Sequence, residues 1–482
     1  MKIQISGQAY EHPSRSVNYQ RSVNLFPAKS GIMEGQGAQL VEKKIQMHTS
    51  GLTSVGDLTG SKVRAIMPFN SVWYVIVDQT VYKVTPAADG LSFTSSSLGT
   101  ITGSSTGRIS WARNPTQIMF GDGSSIGYTI TASTDTLTQI SDAQFTGLEF
   151  VVFVDSYFIY NTPDGTTMYA TSSNDGTAVD ALDVLTAEYN PDKLKALIDN
   201  KREVWALGER STEVYYNAAN AVGHPFSTRD GAAVDQGISA PHSLCKADNT
   251  LVWLDDRRFV VQVKGYGINV VSNHAISAEF QTYSKVDDAF AFSFKDRGHV
   301  FYQISFPTMQ KTWVYDLTTN LWHERSYRNP TTDQDEAHLA NCHVDFNGRS
   351  YVGARDSGKI YLMSPDYYQD NGDPILRIRS TEHNTQELKQ YSFNQLELHA
   401  DMGQGPVDGT DPNIILRYSH DGGYTWSHSM SRSLGDIGVY GNRAIWNRLG
   451  SGKQWIFEFT FSNNAPLALI DLFAEIDGDG NG

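Results

Sequence analysis

One pattern constrains this chain more than any other: a short aromatic-anchored strand, a polar turn and a second such strand, repeated through most of its length. The clearest copy runs from Thr312 to Arg325, reading Thr-Trp-Val-Tyr-Asp-Leu-Thr-Thr-Asn-Leu-Trp-His-Glu-Arg. Asp316, Thr318, Thr319 and Asn320 favour a turn because short polar side chains bond nearby backbone groups. Trp313, Tyr315 and Trp322 carry apolar surface that must be buried against neighbours. Related hairpins include Val72–Val77 into Val81–Val84, Tyr157–Tyr160 into Met168–Ala170, Val204–Leu207 into Val214–Tyr216, and Leu251–Leu254 into Phe259–Val261. His299–Ile304 and Ser350–Gly353 open two more. The copies begin about 40 to 50 residues apart, the spacing of propeller blades. A lone hairpin is marginal in water, whereas closing the blades into a ring buries their faces and protects their edges. The expectation is an all-β protein with a β-propeller of six or seven blades over residues 56–372. Residues 178–198 read as a short helix or a loop between blades.

The flanks read differently. Residues 1–55 offer few core positions, so they are expected to be an extended arm laid over another domain or a neighbouring subunit, the alternative being an edge strand within its own domain. Asn24, Leu25, Phe26 and Pro27 are the candidate interface residues. Beyond Pro374, alternating segments such as Leu376–Arg379, Phe393–Leu398 and Trp455–Phe459 have the period of half-buried strands. They predict a β-sandwich over residues 373–482. At 482 residues the chain exceeds what one core supports, in keeping with this division.

Composition excludes several classes of function. The formal net charge is −15 and no basic stripe is present, which argues against a sequence-specific DNA reader. No run of about 18 apolar residues occurs, so no membrane span is expected. The N-terminus lacks the apolar core of a signal peptide, so folding in the cytoplasm is expected. Cys245 and Cys342 are far apart in sequence and read as free thiols rather than a disulfide.

Motifs for chemistry are sparse. Ser419-His-Asp421-Gly-Gly423-Tyr-Thr-Trp426 fits the Asp-box pattern. Its physical reading is a turn in which Asp421 bonds backbone amides, the glycines supply unusual dihedrals and Trp426 packs underneath. His338, Cys342 and His343 lack a second Cys/His pair at zinc-site spacing. Gly35 and Gly37 supply only two glycines of a dinucleotide fingerprint. Asp255–Asp256 and Asp287–Asp288 are adjacent, and adjacent strand residues face opposite ways, which makes poor acid/base pairs. Asp477–Gly482 begins like a calcium loop but lacks the later acid, and reads as an acidic tail. No catalytic residue, cofactor or metal is expected.

The order of landmarks then matters. Arg202–Tyr215, Pro225-Phe226, Gly237–Leu244, Val252–Leu254, His274–Ile276, Asp288-Ala289, Gly298–Tyr302 and Phe306-Pro307 precede the Trp313 segment. This succession resembles the packaged-DNA stabilisation proteins of P22-like short-tailed bacteriophages, the tail hub or nozzle family. The resemblance spans roughly residues 15 to 475 and is strongest from 200 to 330. It implies a non-enzymatic virion protein, built in the host cytoplasm and located in the tail as a hexameric ring below the portal and adaptor rings. Such a ring continues the DNA channel, retains the packaged genome and holds the tail needle and tailspikes or fibres. Double-stranded DNA would pass without sequence-specific binding, and the acidic balance suits a lumen that repels phosphate. The alternative is a propeller that binds a host glycan or receptor through exposed Trp and Tyr; glycoside cleavage is disfavoured.

Overall fold

The computed structural model describes residues 1–478 apart from positions 16, 34–39, 188, 191, 221, 387–388 and 407–408. The Gly35/Gly37 segment and the end of the acidic tail lie outside the described residues.

Seven antiparallel four-stranded blades follow one another along the chain, five as separate sheets and two as parts of larger ones. Blade 1 runs from Val63–Phe69 to Phe93–Thr100, and blade 2 from Ser110–Arg113 to Thr136–Gln139. Blade 3 spans Phe150–Val154 to Val179–Thr186, and blade 4 Leu194–Asn200 to Phe226–Thr228. Blade 5 spans Cys245–Ala247 to Gly267–Val270, and blade 6 Phe290–Asp296 to Leu321–Glu324. Residues 178–198 are therefore neither helix nor plain loop: they carry the outer strand of blade 3 and open the inner strand of blade 4. Among the described residues the one α-helix, His274–Thr282, lies between blades 5 and 6, with Asn273 Oδ1 accepting the Ile276 N–H as its cap.

Tight hairpins join the strands within a blade. Asn70, Asp78, Asp248, Asn320 and Asn347 occupy turn positions with φ of 52°, 50°, 56°, 58° and 50°. Asn and Asp tolerate this left-handed region better than other non-glycine residues. The sequence pattern of apolar strand, Asx turn and apolar strand thus becomes geometry directly.

What turns seven sheets into a ring is burial between neighbours. Contiguous apolar clusters link blades 1 and 2, blades 2 and 3, blades 3 to 5, blades 5 and 6, blades 6 and 7, and blades 7 and 1. Large aromatics lead these contacts: Trp73 of blade 1 packs 4.7 Å from Tyr351 of blade 7, and Trp205 of blade 4 stacks 6.1 Å from Tyr266 of blade 5. Each such burial contributes about 2–3 kcal/mol.

Blade 7 is completed by the other end of the chain. Ala340–Phe346, Arg349–Ala354 and Lys359–Ser364 form its inner strands, and Gly51–Asp57 pairs with Lys359–Ser364 as the outermost one. The expected limit at residue 55/56 falls inside this strand.

The sandwich has two sheets. One holds Tyr391–Ala400, Ala444–Gly452 and Ala468–Gly478, extended by the hairpin Leu25–Met33/Leu40–His48. The other holds Arg377–Ser380, Asn413–Ser419, Met430–Ser433 and Ile456–Phe461. This second sheet does not stop at the domain edge. The two-residue strand Ser22–Val23 pairs with Glu324 of blade 6 on one side and with Ile378 and Arg379 on the other, making one continuous nine-stranded sheet.

Candidate functional site: the domain junction and the axial cavity

Asn24, Leu25 and Phe26 are buried where the propeller meets the sandwich. Asn24 has φ 53°, a reversal that lets the chain leave the shared sheet. Its Nδ2 donates to the Ser326 and Leu376 carbonyls, both at 2.9 Å, and its Oδ1 accepts the Ser326 N–H at 3.0 Å. One amide thereby holds the last blade-6 segment and the first sandwich segment together. Leu25 belongs to the sandwich core, whereas Phe26 belongs to the cluster of blades 6 and 7. Pro27 continues the strand, paired opposite Gln46. These residues form a seam within the chain itself.

The seam is reinforced by buried guanidiniums. Arg379 is fully buried; its Nε donates to the Ile5 carbonyl at 2.5 Å and its Nη1 to the carbonyls of Gln8 and Arg21, both at 3.2 Å. Burial pushes its pKa down to about 9. Sequence reading missed Arg377 and Arg379. The strict alternation of Leu376-Arg-Ile-Arg379 placed them on the solvent face, but the N-terminal segment covers Arg379, and Arg377 donates to the carbonyls of Tyr368 and Asn463.

A cavity of about 320 Å³ lies on the propeller axis, walled by residues of all seven blades, from Arg64–Ile66 of blade 1 to Asn341–His343 of blade 7. Aliphatic side chains make up much of the wall, with aromatic and cationic ones set among them. Arg108 donates to the Asn341 carbonyl at 3.0 Å and to its Oδ1 at 2.7 Å, and its Cζ stands 3.3 Å from the Phe290 ring centroid. His242 packs 4.8 Å from Phe150, and His343 stacks 5.2 Å from Phe292. Burial first, and the nearby Arg108 charge second, push His242 down to about 3, so it is neutral. Burial likewise pushes the Cys342 thiol up to about 11, far from a reactive thiolate. Asp199, the acid on this wall, is occupied by Lys246 at 2.6 Å. Among the described residues, Asp199 is the one carboxylate that lines this cavity.

The remaining sequence candidates are structural. Trp313, Tyr315 and Trp322 are blade-6 core, with the two tryptophan N–H groups bonded to Tyr283 Oη and the Val271 carbonyl. Asp316 holds its turn through the Thr318 N–H at 2.9 Å and Thr319 Oγ1 at 2.6 Å. Asp255 caps its own turn through the N–H groups of Arg257 and Phe259, while Asp256 accepts from Gly237. Asp288 bonds Thr308, and Asp287 meets Lys285. His338, Cys342 and His343 do not converge: among the described residues no group of three His, Cys, Asp or Glu side chains could hold a metal. Cys245 and Cys342 are free.

The Asp-box is a built turn on the sandwich. Asp421 accepts the N–H groups of Tyr424 and Thr425 at 3.0 and 2.9 Å and the Thr425 hydroxyl at 2.6 Å. Ser419 Oγ donates to Asp421 at 2.7 Å and accepts the Gly423 N–H at 2.9 Å. Gly422 and Gly423 have φ of 75° and 93°. Burial alone would raise the Asp421 pKa, but these donors outweigh it and hold the carboxyl at about 2. Trp426 does not pack underneath the turn; it lies half-buried between Tyr19 and Arg417, whose Cζ is 5.2 Å from its ring. Asp421→Ala should cost about 0.5–1.5 kcal/mol by removing those hydrogen bonds at an exposed turn, read as a lower urea midpoint at unchanged slope. A shift of under about 0.3 kcal/mol would mean that the turn holds itself.

Two family descriptions match this architecture. That of bacteriophage P22 Gp10, beta-propeller, matches residues 1–368. That of bacteriophage P22 Gp10, beta-sandwich, matches residues 377–477. The chain belongs to the bacteriophage P22 Gp10 family. As a Gp10-family protein it is a structural component of a phage virion. Sequence comparison with characterised proteins returns no match. Among solved structures, similarity extends to BamB from Moraxella catarrhalis at 10% identity, covering 70% of this chain and 97% of that one with a TM-score of 0.41. YCF48 bound to D1 peptide is similar at 10% identity, covering 66% and 96% with a TM-score of 0.40. The designed protein Ika8 is similar at 13% identity, covering 65% and 99% with a TM-score of 0.38. Similarity this weak says nothing about function.

Proposed function

We propose that this Gp10-family protein is the tail hub, or nozzle, of a short-tailed phage. In this reading six copies form a ring below the portal and adaptor, continue the DNA channel, retain the packaged genome and anchor the tail needle and tailspikes or fibres. The observation that carries the reading is the continuous nine-stranded sheet through blade 6 and the sandwich. It makes two domains one stiff block, which suits a part that bears load through its surfaces. The axial cavity of one propeller, crossed by Arg108 and the His242–Phe150 pair, is too small for a double helix. A DNA channel would therefore run between subunits, and the −15 charge favours weak contact with the passing phosphates.

The lectin-like alternative has less support. Five of the six propeller tryptophans, Trp73, Trp205, Trp253, Trp313 and Trp322, are 5% exposed or less and cannot stack on a sugar.

The test is assembly and retention. Purified protein mixed with portal–adaptor particles should form six-fold rings visible in negative stain, and should stop DNA leaking from heads that lack it. A chain that stays monomeric beside the adaptor, with heads keeping their DNA in its absence, would overturn the proposal.

A further inference from the structure

Between blades 6 and 7 the chain forms one more hairpin, set beside the ring. Ser326–Asn329 pairs with Gln334–Ala337, and among the described residues neither strand pairs with any other. The hairpin is held from several sides. Tyr327 Oη donates to Asp373 at 2.7 Å, Arg328 pairs with Asp333 and Asp335 at 2.8 and 3.0 Å, and Arg355 of blade 7 pairs with Glu336 at 2.5 Å. A cavity of about 690 Å³ lies alongside, with Phe290 and Pro307 of blade 6 as apolar lining. Residues 334–338 all border it, an unbroken run. Alternate strand residues face opposite ways, so an unbroken run means that the cavity follows the strand's edge rather than one of its faces.

The far end of this edge holds donors that lack acceptors. His338 is 1% exposed; its Nδ1 accepts the Ala340 N–H at 3.3 Å and lies 3.4 Å from Gln303 Nε2. Burial pushes its pKa well below the usual range, so the ring is neutral and its proton is on Nε2, which has no partner. The Arg355 backbone N–H donates to the Leu339 carbonyl at 3.0 Å, which sets Arg355 close to His338, and its Nε is unpartnered too. Both residues line the cavity. Native structures rarely leave buried N–H groups unpaired. An unpaired strand edge likewise offers backbone donors and acceptors to another extended chain. The lining holds three carboxylates, Asp335, Glu336 and Asp356, against two cations, Lys62 and Arg355. Asp356 is exposed and stands outside every ion pair among the described residues.

We propose that this cavity is a docking site for an extended segment of a partner polypeptide, which adds to Gln334–Ala337 as a third strand. Carbonyl oxygens of the segment take the His338 and Arg355 N–H groups, an apolar side chain rests on Phe290 and Pro307, and a Lys or Arg faces Asp356. Backbone pairing supplies affinity in such a site, and the side-chain contacts supply selectivity. The site lies within one chain, so it does not depend on assembly of a ring.

A displayed library of short random peptides, panned against the full-length protein, tests this. Enriched peptides are expected to alternate apolar and polar residues and to carry Lys or Arg. Adding a selected peptide should slow amide hydrogen exchange within Gln334–Ala337 by about tenfold or more. Gln334→Trp fills the cavity from an exposed position and should weaken the selected peptides by about tenfold or more. His338→Asn keeps an acceptor for the Ala340 N–H but removes the Nε2 donor, and should weaken them about fivefold. No enrichment over the Gln334→Trp protein, peptides that bind both proteins alike, or binding without slower exchange in Gln334–Ala337 would each overturn the assignment.

Discussion

Phe26→Ala is expected to destabilise the protein by about 3–5 kcal/mol and to uncouple its two domains. The ring is 1% exposed and meets Phe301 edge-on at 5.1 Å and His299 at 5.2 Å, while Arg297 Cζ lies 5.1 Å from its centroid. Its neighbour Leu25 is equally buried but points into the sandwich core. Successive strand residues face opposite ways, so this dipeptide drives one apolar side chain into each domain. Truncating Phe26 leaves a cavity on the propeller side that the surrounding sheets cannot close. Denaturant unfolding followed by tryptophan fluorescence should change from one transition to two, with the propeller releasing first. A single transition at the parental midpoint would show that the seam holds without this ring.

Removal of residues 1–57 should abolish cooperative folding. The deleted segment supplies the outer strand of blade 7, paired from Lys359↔Asp57 to Ser364↔Gly51. It also supplies Ser22–Val23 and the buried side chains Ile3, Ile5, Leu25, Phe26, Leu52 and Val55. Six buried apolar side chains represent about 10 kcal/mol or more, comparable to the whole stability of an ordinary domain. Losing them also strands Arg379, whose donors serve the Ile5, Gln8 and Arg21 carbonyls. An unpaired buried charge is costly in its own right. The 58–482 fragment should show no sharp thermal transition and little near-ultraviolet circular dichroism. Adding a peptide of residues 1–57 in trans should restore both, as strand addition to an open blade edge. A fragment melting like the full chain would refute the view that the N-terminus closes the ring.

Both predictions concern segments whose role could not be read locally. The blade hairpins could, because alternation of apolar residues and Asx turns is a short-range signal: Val72–Val77, Leu251–Leu254 and Trp313–Tyr315 are all strands of the propeller. The sandwich strands around Phe393 and Trp455–Phe459 were legible for the same reason, and so was the landmark order that points to the Gp10 family. Ser22–Val23 is two residues long and has no period at all; it is a strand only because Glu324 and Ile378 flank it from about 300 residues and more away. The count of seven likewise needed Gly51–Asp57 to be paired with its distant partner.

The same division holds for the sites. Local chemistry sufficed for Asp421 and Asp316, since a carboxylate two to four residues from free backbone N–H groups caps them wherever the turn lies. The closing contacts of the ring were invisible: Val63, Arg108 and Asn341 are ordinary in their own neighbourhoods and meet only when blade 7 returns to blade 1. Short-range patterning therefore determined which strands form and which turns join them. Tertiary structure alone decided how the two ends of the chain close the ring, because that closure is set by pairing across hundreds of residues and by burial between sheets rather than by any local preference.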